Sequence, residues 1–438
     1  MRRFFDGRSA FALLAIAAAI AGCAGSGSPQ PVPRLASPLH RAMEPPAGLI
    51  QHVVILIQEN RSFDDLFNGY PGADTVSVGS IHGSPVPLQQ MPLEAPGDPS
   101  HSHGAFMLDL DGGAMDGFDD EAWPRSMMPP NAPYSVVPQS ETAPLWSIAQ
   151  QYVIADRMFA SNSGPSYPAH QYLIAGESAM ADENPDSLVA WGCDSPPRVT
   201  VRLLDAHGKE VPGPFPCFDY ATLADEMSAR SVGWNFYTGK MLSIWNAFDA
   251  ISHIRYGPAW TTNFRTPPSA FMTDVHAGIL APVTWITPVN ENSDHPNNLH
   301  NTGPGWVASV VNAVGRSKFW KSTAIFVVWD DWGGWYDHVA PQAEDVMGLG
   351  FRVPMLVVSP YSRHGYISHD QHEFGSLLKF TEEAFSLPSL GTTDARSDDL
   401  ADCFDFTQSP APFAPIQHAL PLAQIRQIEL TATQPPDY

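Results

Sequence analysis

Four short runs of consecutive apolar residues stand out along the chain, and each run ends in polar residues. The runs cover residues 53–57, 283–287, 325–329 and 353–358. Unbroken hydrophobicity over a segment of this length is typical of a strand that is buried on both faces. The four runs therefore predict a mostly parallel central sheet whose faces are covered by helices.

Helical patterns occupy several intervals between these runs. They cover residues 142–151, 221–229, 306–314 and 374–385, and the last is followed by Leu387 and Pro388, which end a helix. Strands that alternate with helices indicate an α/β fold. We expect a three-layer αβα architecture.

The first 22 residues have the composition of an export signal. Arg2 and Arg3 form a basic start, residues 11–20 are apolar, and small residues precede Cys23. The apolar stretch is too short for a membrane span of about 20 residues. We expect residues 1–22 to be a lipoprotein signal and Cys23 to carry a lipid anchor to the cell envelope, periplasmic or outer-membrane. An ordinary cleaved signal is the alternative and would give a secreted protein.

The rest of the chain divides by composition into three segments. Residues 23–46 are rich in Gly, Ser and Pro and predict a flexible tether. Residues 47–403 carry the strand and helix patterns and predict one large folded domain. Residues 404–438 are rich in Pro, Gln and Ala, and we expect this tail to wrap the domain surface or to stay mobile.

The chain is strongly acidic, with 23 Lys and Arg against 46 Asp and Glu and a net charge of −23. Such a chain should not bind nucleic acid. The same charge repels phosphate esters, so phosphate chemistry would need a local cation or hydrogen-bond donors. Apart from Cys23 there are three cysteines, and Cys193 and Cys217 flank a Pro- and Gly-containing segment. In an oxidising compartment we expect these two to form a disulfide and Cys403 to remain free.

Polar side chains follow each of the predicted strands. They are Glu59 and Asn60, Asp294 and His295, Asp330 and Asp331, and Ser359. Ligands of open α/β sheets gather beyond the carboxyl ends of the strands, so we expect these groups at one rim. Carboxylate and amide oxygens there suit a hard cation. The alternative is that they are ordinary turn residues.

The pair Asp330-Asp331 strengthens the metal hypothesis. Two adjacent carboxylates raise each other's pKa unless a cation compensates their charge. Gly333 and Gly334 follow and allow the backbone to turn tightly. Further along, Asp337 and His338 either form a second metal site or brace the first ligands, and we favour bracing.

A loop punctuated by Gly and Pro, residues 161–170, opens a predicted helix near Pro168. Ser166 would lie near the N-terminus of that helix, where free amides and the dipole favour an anion. A serine hydroxyl beside a metal can attack phosphorus. The alternative is that Ser166 merely caps the helix.

Three histidines are candidates for contacting phosphate oxygens or protonating a leaving group: His101, His253 and His295. With a reference pKa of about 6.5, histidine is charged in mild acid, which predicts an acidic activity optimum. The alternative is a structural role, which most of the 16 histidines must have. We favour His101 and His295 over His253.

Several stretches match one known family. They are residues 59–64, His101 with residues 112–118, the Gly164-Pro165-Ser166 loop, and residues 294–296, 330–339 and 352–360. Nearly the whole domain resembles the bacterial family of phosphatidylcholine-type phospholipases C and acid phosphatases. The resemblance implies an alkaline-phosphatase-like core, with a metal ion held by residues matching Glu59, Asn60, Asp330 and Asp331. It also implies a serine nucleophile at Ser166 and a phosphoseryl intermediate.

Departures from the phospholipase C pattern favour the acid phosphatase branch. Phospholipase C relatives generally carry Thr at the position of Ser166, Asp-Glu at Asp330-Asp331, and an Asp-His pair where this chain reads Glu373-Phe374. We therefore expect an acid phosphatase-like hydrolase of phosphate esters. A phosphodiesterase acting on phospholipid head groups and an inactive surface binding lipoprotein are the alternatives.

The predicted ligand set contains three carboxylates and one amide. Such oxygen ligands favour one hard or borderline divalent ion, and no cysteine argues for a soft one. The identity stays open among Ca, Mg, Mn, Fe and Zn.

Overall fold

The computed structural model describes Pro45 and residues 48–187 and 189–433. The predicted signal, the anchor at Cys23 and the tether apart from Pro45 lie outside these residues and remain predictions. The strands of the described residues are β1 (His52–Gln58), β2 (Val78–Ile81), β3 (Ser84–Pro87), β4 (Gln89–Gln90), β5 (Ser135–Val136), β6 (Val153–Ala155), β7 (Met158–Phe159), β8 (Arg202–Leu204), β9 (Glu210–Pro212), β10 (Trp234–Tyr237), β11 (Phe264–Arg265), β12 (Val283–Ile286), β13 (Thr323–Trp329), β14 (Met355–Val358), β15 (Tyr366–Ser368) and β16 (His372–Glu373).

The α-helices alternate with these strands. They are α1 (Phe63–Phe67), α2 (His103–Leu110), α3 (Ala143–Gln151), α4 (Ser166–Ala175), α5 (Leu223–Ala229), α6 (Ser252–Arg255), α7 (Ala259–Thr262), α8 (Ala270–His276), α9 (Gly303–Gly315), α10 (Phe374–Phe385), α11 (Thr393–Arg396) and α12 (Leu422–Thr431). The four predicted helices correspond to α3, α5, α9 and α10, and the bounds of α10 are those predicted. None of the described helices is both long enough and apolar enough to cross a membrane.

The four predicted apolar runs all form strands of one eight-stranded sheet. The order across the sheet is β11-β10-β12-β1-β13-β14-β6-β15. Strand β1 lies between β12 and β13 and pairs in parallel with both. Every residue of β13 is buried, as is every residue of β12. The prediction of a mostly parallel sheet buried on both faces is therefore confirmed.

One predicted strand runs against the others. Strand β14 pairs antiparallel with both β13 and β6, and Val358 lies opposite Ile325 near the start of β13. Ser359 follows Val358, so it lies at the opposite edge of the sheet from Asp330. The prediction that Ser359 joins the other strand-end groups at one rim is wrong, because an apolar run carries no information about strand direction.

Helices cover the sheet in two groups. In one group α9 packs on α3 and α8, and in the other α4 packs on α5 and α10. The continuous apolar strands require burial on both faces, and these two helix groups provide it. The architecture is the expected three-layer αβα fold.

The part of the predicted tail that the structure describes packs on the domain. Phe404 stacks on Phe380 at a ring distance of 4.9 Å, and the ring of Phe413 meets that of Trp320 at 5.0 Å. Helix α12 then places Ile425 in the core. The described residues 404–433 therefore pack on the domain, and residues 434–438 lie outside the described residues.

Two cysteine predictions are also confirmed. Cys193 and Cys217 form a disulfide. Cys403 is free and buried.

Candidate active site

The strand-end residues of β1 and β13 lie next to each other because these strands are parallel neighbours. Glu59 and Asn60 follow β1, and Asp330 and Asp331 follow β13. The backbone amide of Asn60 donates to Asp330 Oδ1 at 2.9 Å, across 270 residues of sequence. All four side chains are buried. The rim predicted from the sequence is thus formed at the carboxyl ends of these two strands.

Tight turns bring the two strand ends together. Asn60 has φ +58°, a left-handed conformation that asparagine tolerates better than most residues. Gly333 has φ +63°, and a Cβ atom there would lie 2.1 Å from the carbonyl oxygen of Asn60. Only glycine allows this approach. The glycine after the aspartate pair therefore keeps the β13 turn in contact with the β1 turn.

His170 joins the carboxylates from helix α4. Its Nε2 lies 3.2 Å from Glu59 Oε1 and 3.5 Å from Asp330 Oδ2. Ligand atoms of these three residues lie within 4.8 Å of one another. The sequence analysis did not single out His170. Its only signal is the spacing of four residues from Ser166, which places both on one face of a helix.

Ser166 is the first residue of α4 and is fully buried. Its Oγ lies 3.5 Å from Asn60 Oδ1 and 3.4 Å from Asp331 Oδ2. Asp331 is held in turn by the amide of Gly333, which donates to its Oδ1 at 2.7 Å. The structure therefore places a hydroxyl at a helix N-terminus beside the strand-end groups.

His101 and His295 meet on the other side of Asn60. The Nδ2 of Asn60 lies 2.9 Å from His101 Nε2 and 3.2 Å from His295 Nε2. The Nδ1 of His101 lies 3.0 Å from Pro99 O, and that of His295 lies 2.6 Å from Pro296 O. A carbonyl oxygen only accepts, so each Nδ1 carries a proton and each neutral ring presents a lone pair at Nε2.

This arrangement fixes the orientation of the Asn60 amide. Because both histidines accept at Nε2, the amide nitrogen of Asn60 faces them and its oxygen faces Ser166. When either ring is protonated, its Nε2–H becomes a donor. The same two nitrogens can then hold an anion such as a phosphate oxygen.

The donor set fits a divalent cation. Glu59, Asp330 and Asp331 are three carboxylates with no solvent exposure, and burying like charges this close is costly without a cation. Asp330 Oδ2 is buried and faces His170 Nε2 at 3.5 Å. Burial raises the pKa of Asp330, but His170, Glu59 and Ser166 together outweigh burial and hold that pKa below its ordinary value. Carboxylate and amide oxygens suit a hard or borderline ion.

His253 is not brought into this group. It lies on α6 with a side chain 38% exposed, and its Nδ1 and Nε2 contact Asp219 at 2.7 Å and Asp225 at 2.9 Å. Both ring nitrogens are therefore occupied by surface carboxylates. We leave His253 out of the candidate site.

Asp294 precedes His295 and supports the turn rather than facing the carboxylates. Its backbone has φ +69°, and its carbonyl oxygen accepts from Arg61 Nε at 2.8 Å. Burial raises the pKa of the Asp294 carboxyl to about 7, although Arg61 opposes this. A Cβ at Gly303 would lie 2.0 Å from Asp294 Oδ1, so glycine is required there.

The pair Asp337-His338 belongs to a salt-bridge network. The guanidinium of Arg352 binds Asp337 through two parallel bonds, from Nε at 2.8 Å and from Nη2 at 3.0 Å. It also lies 3.3 Å from Asp64, which accepts from His338. Because a buried Arg352 already compensates these carboxylates, the network favours bracing over a second metal site.

A cavity of about 480 Å³ opens beside the site. His101 and Pro165, which precedes Ser166, lie in its wall, together with Asp98, Glu183 and Asp186. Burial raises the pKa of Glu183 to about 7, with help from Asp182 and Glu210. The cavity therefore borders the start of the helix that carries Ser166 and reaches one of the candidate histidines, His101.

A loop in the cavity wall holds two helices in place. Glu183 Oε1 accepts from the His103 amide at the start of α2 at 3.0 Å, and Asn184 Oδ1 accepts from the Tyr167 amide at 2.9 Å. Tyr167 directly follows Ser166. Asn184 therefore caps the helix that carries Ser166 from outside that helix.

Comparisons with known proteins identify the family of the chain. The model of the Phosphoesterase family matches residues 50–388. Phospholipase C B of Mycobacterium tuberculosis is 26% identical over 432 residues, covering 84% of this chain and 80% of that protein. Hemolytic phospholipase C of Pseudomonas aeruginosa is 24% identical over 429 residues, covering 82% of this chain and 56% of that protein.

Among solved structures, the chain is similar to a protein of the alkaline phosphatase superfamily from Vibrio parahaemolyticus. The alignment covers 80% of this chain and 70% of the Vibrio chain. The identity is 12% and the TM-score 0.36. That score is low, and the α/β assignment rests on the strand order of the sheet itself.

Proposed function

Because the chain belongs to the Phosphoesterase family and is a phosphoric ester hydrolase, we propose that it cleaves phosphate monoesters as an acid phosphatase with Ser166 as nucleophile. The observation that carries the proposal is the position of Ser166 at the N-terminus of α4, with its Oγ 3.4 Å from Asp331. The match to the Phosphoesterase family argues against the alternative of an inactive binding lipoprotein.

The proposed metal ligands are Glu59, Asn60, Asp330 and Asp331. A divalent ion bound there supplies Lewis-acid stabilisation and lowers the pKa of the serine hydroxyl. His170 Nε2 lies within 3.5 Å of carboxylate oxygens of two of these ligands, Glu59 and Asp330. We propose that it orients them, although its position would also allow it to join them around the ion.

The chain's own groups account for the remaining chemistry. Ser166 Oγ passes its proton to Asp331 Oδ2, 3.4 Å away, and attacks phosphorus in line, and the P–O bond to the alcohol breaks to leave a phosphoseryl group. His101 and His295 hold the phosphate oxygens through Nε2–H when protonated, and one of them protonates the leaving alcohol. Water then attacks the phosphoserine and restores the hydroxyl. This use of protonated histidines gives the proposed acidic optimum.

The first test compares two substrates in the purified protein. We expect faster release of p-nitrophenol from p-nitrophenyl phosphate than from p-nitrophenylphosphorylcholine, with both rates abolished by a chelator and restored by a divalent ion. Faster diester turnover would replace this proposal with a phospholipase C-type activity, which the names of the relatives favour. Activity that resists chelation would contradict the metal site.

A second prediction concerns the cap on the serine helix. We expect Asn184→Ala to lower kcat about tenfold, because the freed Tyr167 amide lets Ser166 move from its position. Asn184→Asp should restore most of the rate, since aspartate caps as well as asparagine. Steady-state kinetics and thermal unfolding are the measurements. Equal rates for the two variants would show that the cap does not position Ser166.

The lipid anchor at Cys23 and export to the cell envelope are part of the same proposal. The substrate would then be a phosphate ester outside the cytoplasm, with phospholipid as the alternative. Mass spectrometry of the N-terminal peptide from the natural host tests for the lipid.

A further inference from the structure

A second cavity, of about 580 Å³, lies between α8, the C-terminal end of α9 and the C-terminal segment. We refer to it as the α8–α9 cavity. Its apolar wall is formed by Met272 and Val275 from α8, Ala313 from α9, and Leu420 and Leu422 from the C-terminal segment. None of its lining residues belongs to the candidate active site.

Basic side chains line the rest of this cavity. Arg316, Lys318 and His276 are in its wall, and none of its described lining residues is Asp or Glu. Among the described residues, neither Arg316 nor Lys318 forms an ion pair with a carboxylate, and the Nζ of Lys318 lies over the ring of Phe319 at 5.0 Å. In a chain with 46 acidic and 23 basic residues, two adjacent cations without carboxylate partners are unusual.

The neutral polar groups of the wall are already satisfied. Asn312 donates from Nδ2 to Ile416 O at 2.9 Å and accepts from the Ile416 amide at 2.8 Å. Ser309 Oγ lies 2.9 Å from Leu420 O, and Ser317 Oγ donates to Val314 O at 2.7 Å. The groups left to bind a ligand are therefore the cations and the apolar wall.

The α8–α9 cavity and the cavity beside Ser166 have walls of opposite charge. Asp98, Glu183 and Asp186 line the cavity beside Ser166, whereas Arg316 and Lys318 line the α8–α9 cavity. A cation at the C-terminal end of α9 also complements the helix dipole. The helix dipole accounts for a cation at this position but not for the apolar cavity beside it. The cavity volume of about 580 Å³ lies in the range of small-molecule binding sites.

We propose that the α8–α9 cavity binds a single-chain amphiphile with an anionic head group, either a carboxylate or a phosphate. The alkyl chain lies on Met272, Val275 and Leu420, and the head group lies between Arg316 and Lys318. Apolar area removed from water stabilises the chain, and charge-assisted hydrogen bonds hold the head. The inference does not depend on the proposed catalytic function.

Isothermal titration calorimetry of the full-length protein tests this site. The probes are decanoate, decylphosphonate, 1-decanol and inorganic phosphate, all kept below any micelle concentration. Decylphosphonate has a carbon–phosphorus bond and is not an ester, so hydrolysis does not interfere. We expect decanoate and decylphosphonate to bind with one site per chain, and both to bind at least about tenfold more tightly than decanol or phosphate.

Variants locate the binding. Arg316→Ala combined with Lys318→Ala should weaken decanoate binding at least about tenfold. Ala313→Leu should weaken it by filling the apolar part without a change of charge. Lys321→Ala is the matched control, because Lys321 is a nearby cation outside the cavity wall. Turnover of p-nitrophenyl phosphate should stay unchanged in all these variants, which separates this inference from the catalytic proposal.

Several results would overturn the proposal. If decanol bound as tightly as decanoate, Arg316 and Lys318 would contribute nothing to binding. If inorganic phosphate bound as tightly as decanoate, the apolar wall would contribute nothing. Unchanged decanoate binding in the Arg316 and Lys318 variant would place the ligand elsewhere. Absence of binding by both anionic amphiphiles would refute the site itself.

Discussion

Replacing Ser166 with alanine should lower the turnover of a phosphate monoester by about 10³-fold or more while the protein stays folded. Ser166 Oγ is the hydroxyl that lies at the N-terminus of α4 next to Asn60 and Asp331. Without it no phosphoseryl group can form. The measurements are kcat with p-nitrophenyl phosphate and trapping of labelled phosphate on the protein by acid quench, which should succeed only in the wild type.

Ser163→Ala is the matched control for this prediction. Ser163 lies three residues earlier in the same loop, and its Oγ contacts His103 Nδ1 at 2.9 Å rather than the carboxylates. We expect this variant to lose less than about tenfold in kcat and to keep the covalent label. Full turnover in Ser166→Ala, or labelling of that variant, would eliminate the serine mechanism.

Asp330→Asn should abolish metal binding and lower turnover by about 10²-fold or more. Asp330 Oδ1 accepts from the amides of Asn60 and Asp331, at 2.9 and 2.8 Å, and an asparagine oxygen can accept in the same way. The change therefore keeps the turn but removes a buried negative charge that the cation needs. Metal content per chain by plasma mass spectrometry and kcat are measured on the same sample.

The control for Asp330→Asn is Glu94→Gln, which removes an exposed acid elsewhere. Glu94→Gln should keep both the metal and the rate. Wild-type metal content in Asp330→Asn would mean that Asp330 is not a ligand. Lost metal with an unchanged rate would mean that the bound ion is not catalytic.

Much of the sheet could be predicted because its central strands are continuously apolar. Strands β1 and β13 bury nearly every residue, and their sequences show it directly. Strands β6 and β15 contain only three residues each, too few for a pattern to stand out. The direction of β14 depends on its pairing with β13 and β6, which the run itself does not encode.

The candidate site was predictable where its residues follow strands. Glu59, Asn60 and Asp330 are such residues, and the parallel pairing of β1 with β13 places them at the same edge of the sheet. His170 lies on a helix that arrives from elsewhere, so only its spacing from Ser166 connects it to the site. His253 lies outside the site because its ring nitrogens contact Asp219 and Asp225. These two residues are distant from His253 in sequence, so the contacts could not be predicted.

The salt-bridge network around Arg352 could not be predicted from the sequence. Arg352 is fully buried and binds Asp337 and Asp64, which lie 15 and 288 positions away in the chain. Burial of a guanidinium is rare unless its partners are buried with it. No local sequence pattern predicts that Arg352 contacts these two carboxylates. The sequence alone therefore could not decide whether Asp337 and His338 brace the site or form a second metal site.

The position of β1 between β12 and β13 has a consequence for when the enzyme becomes active. Strand β1 pairs with β12 and β13, and both lie more than 200 residues later in the chain. The pairing of β1 therefore closes very long loops. Contacts of this sequence separation slow folding. A chain that is still emerging from a ribosome or a translocation pore before residue 331 cannot have assembled its catalytic groups. Hydrolytic activity should therefore appear late in folding, after the chain as far as residue 331 has emerged.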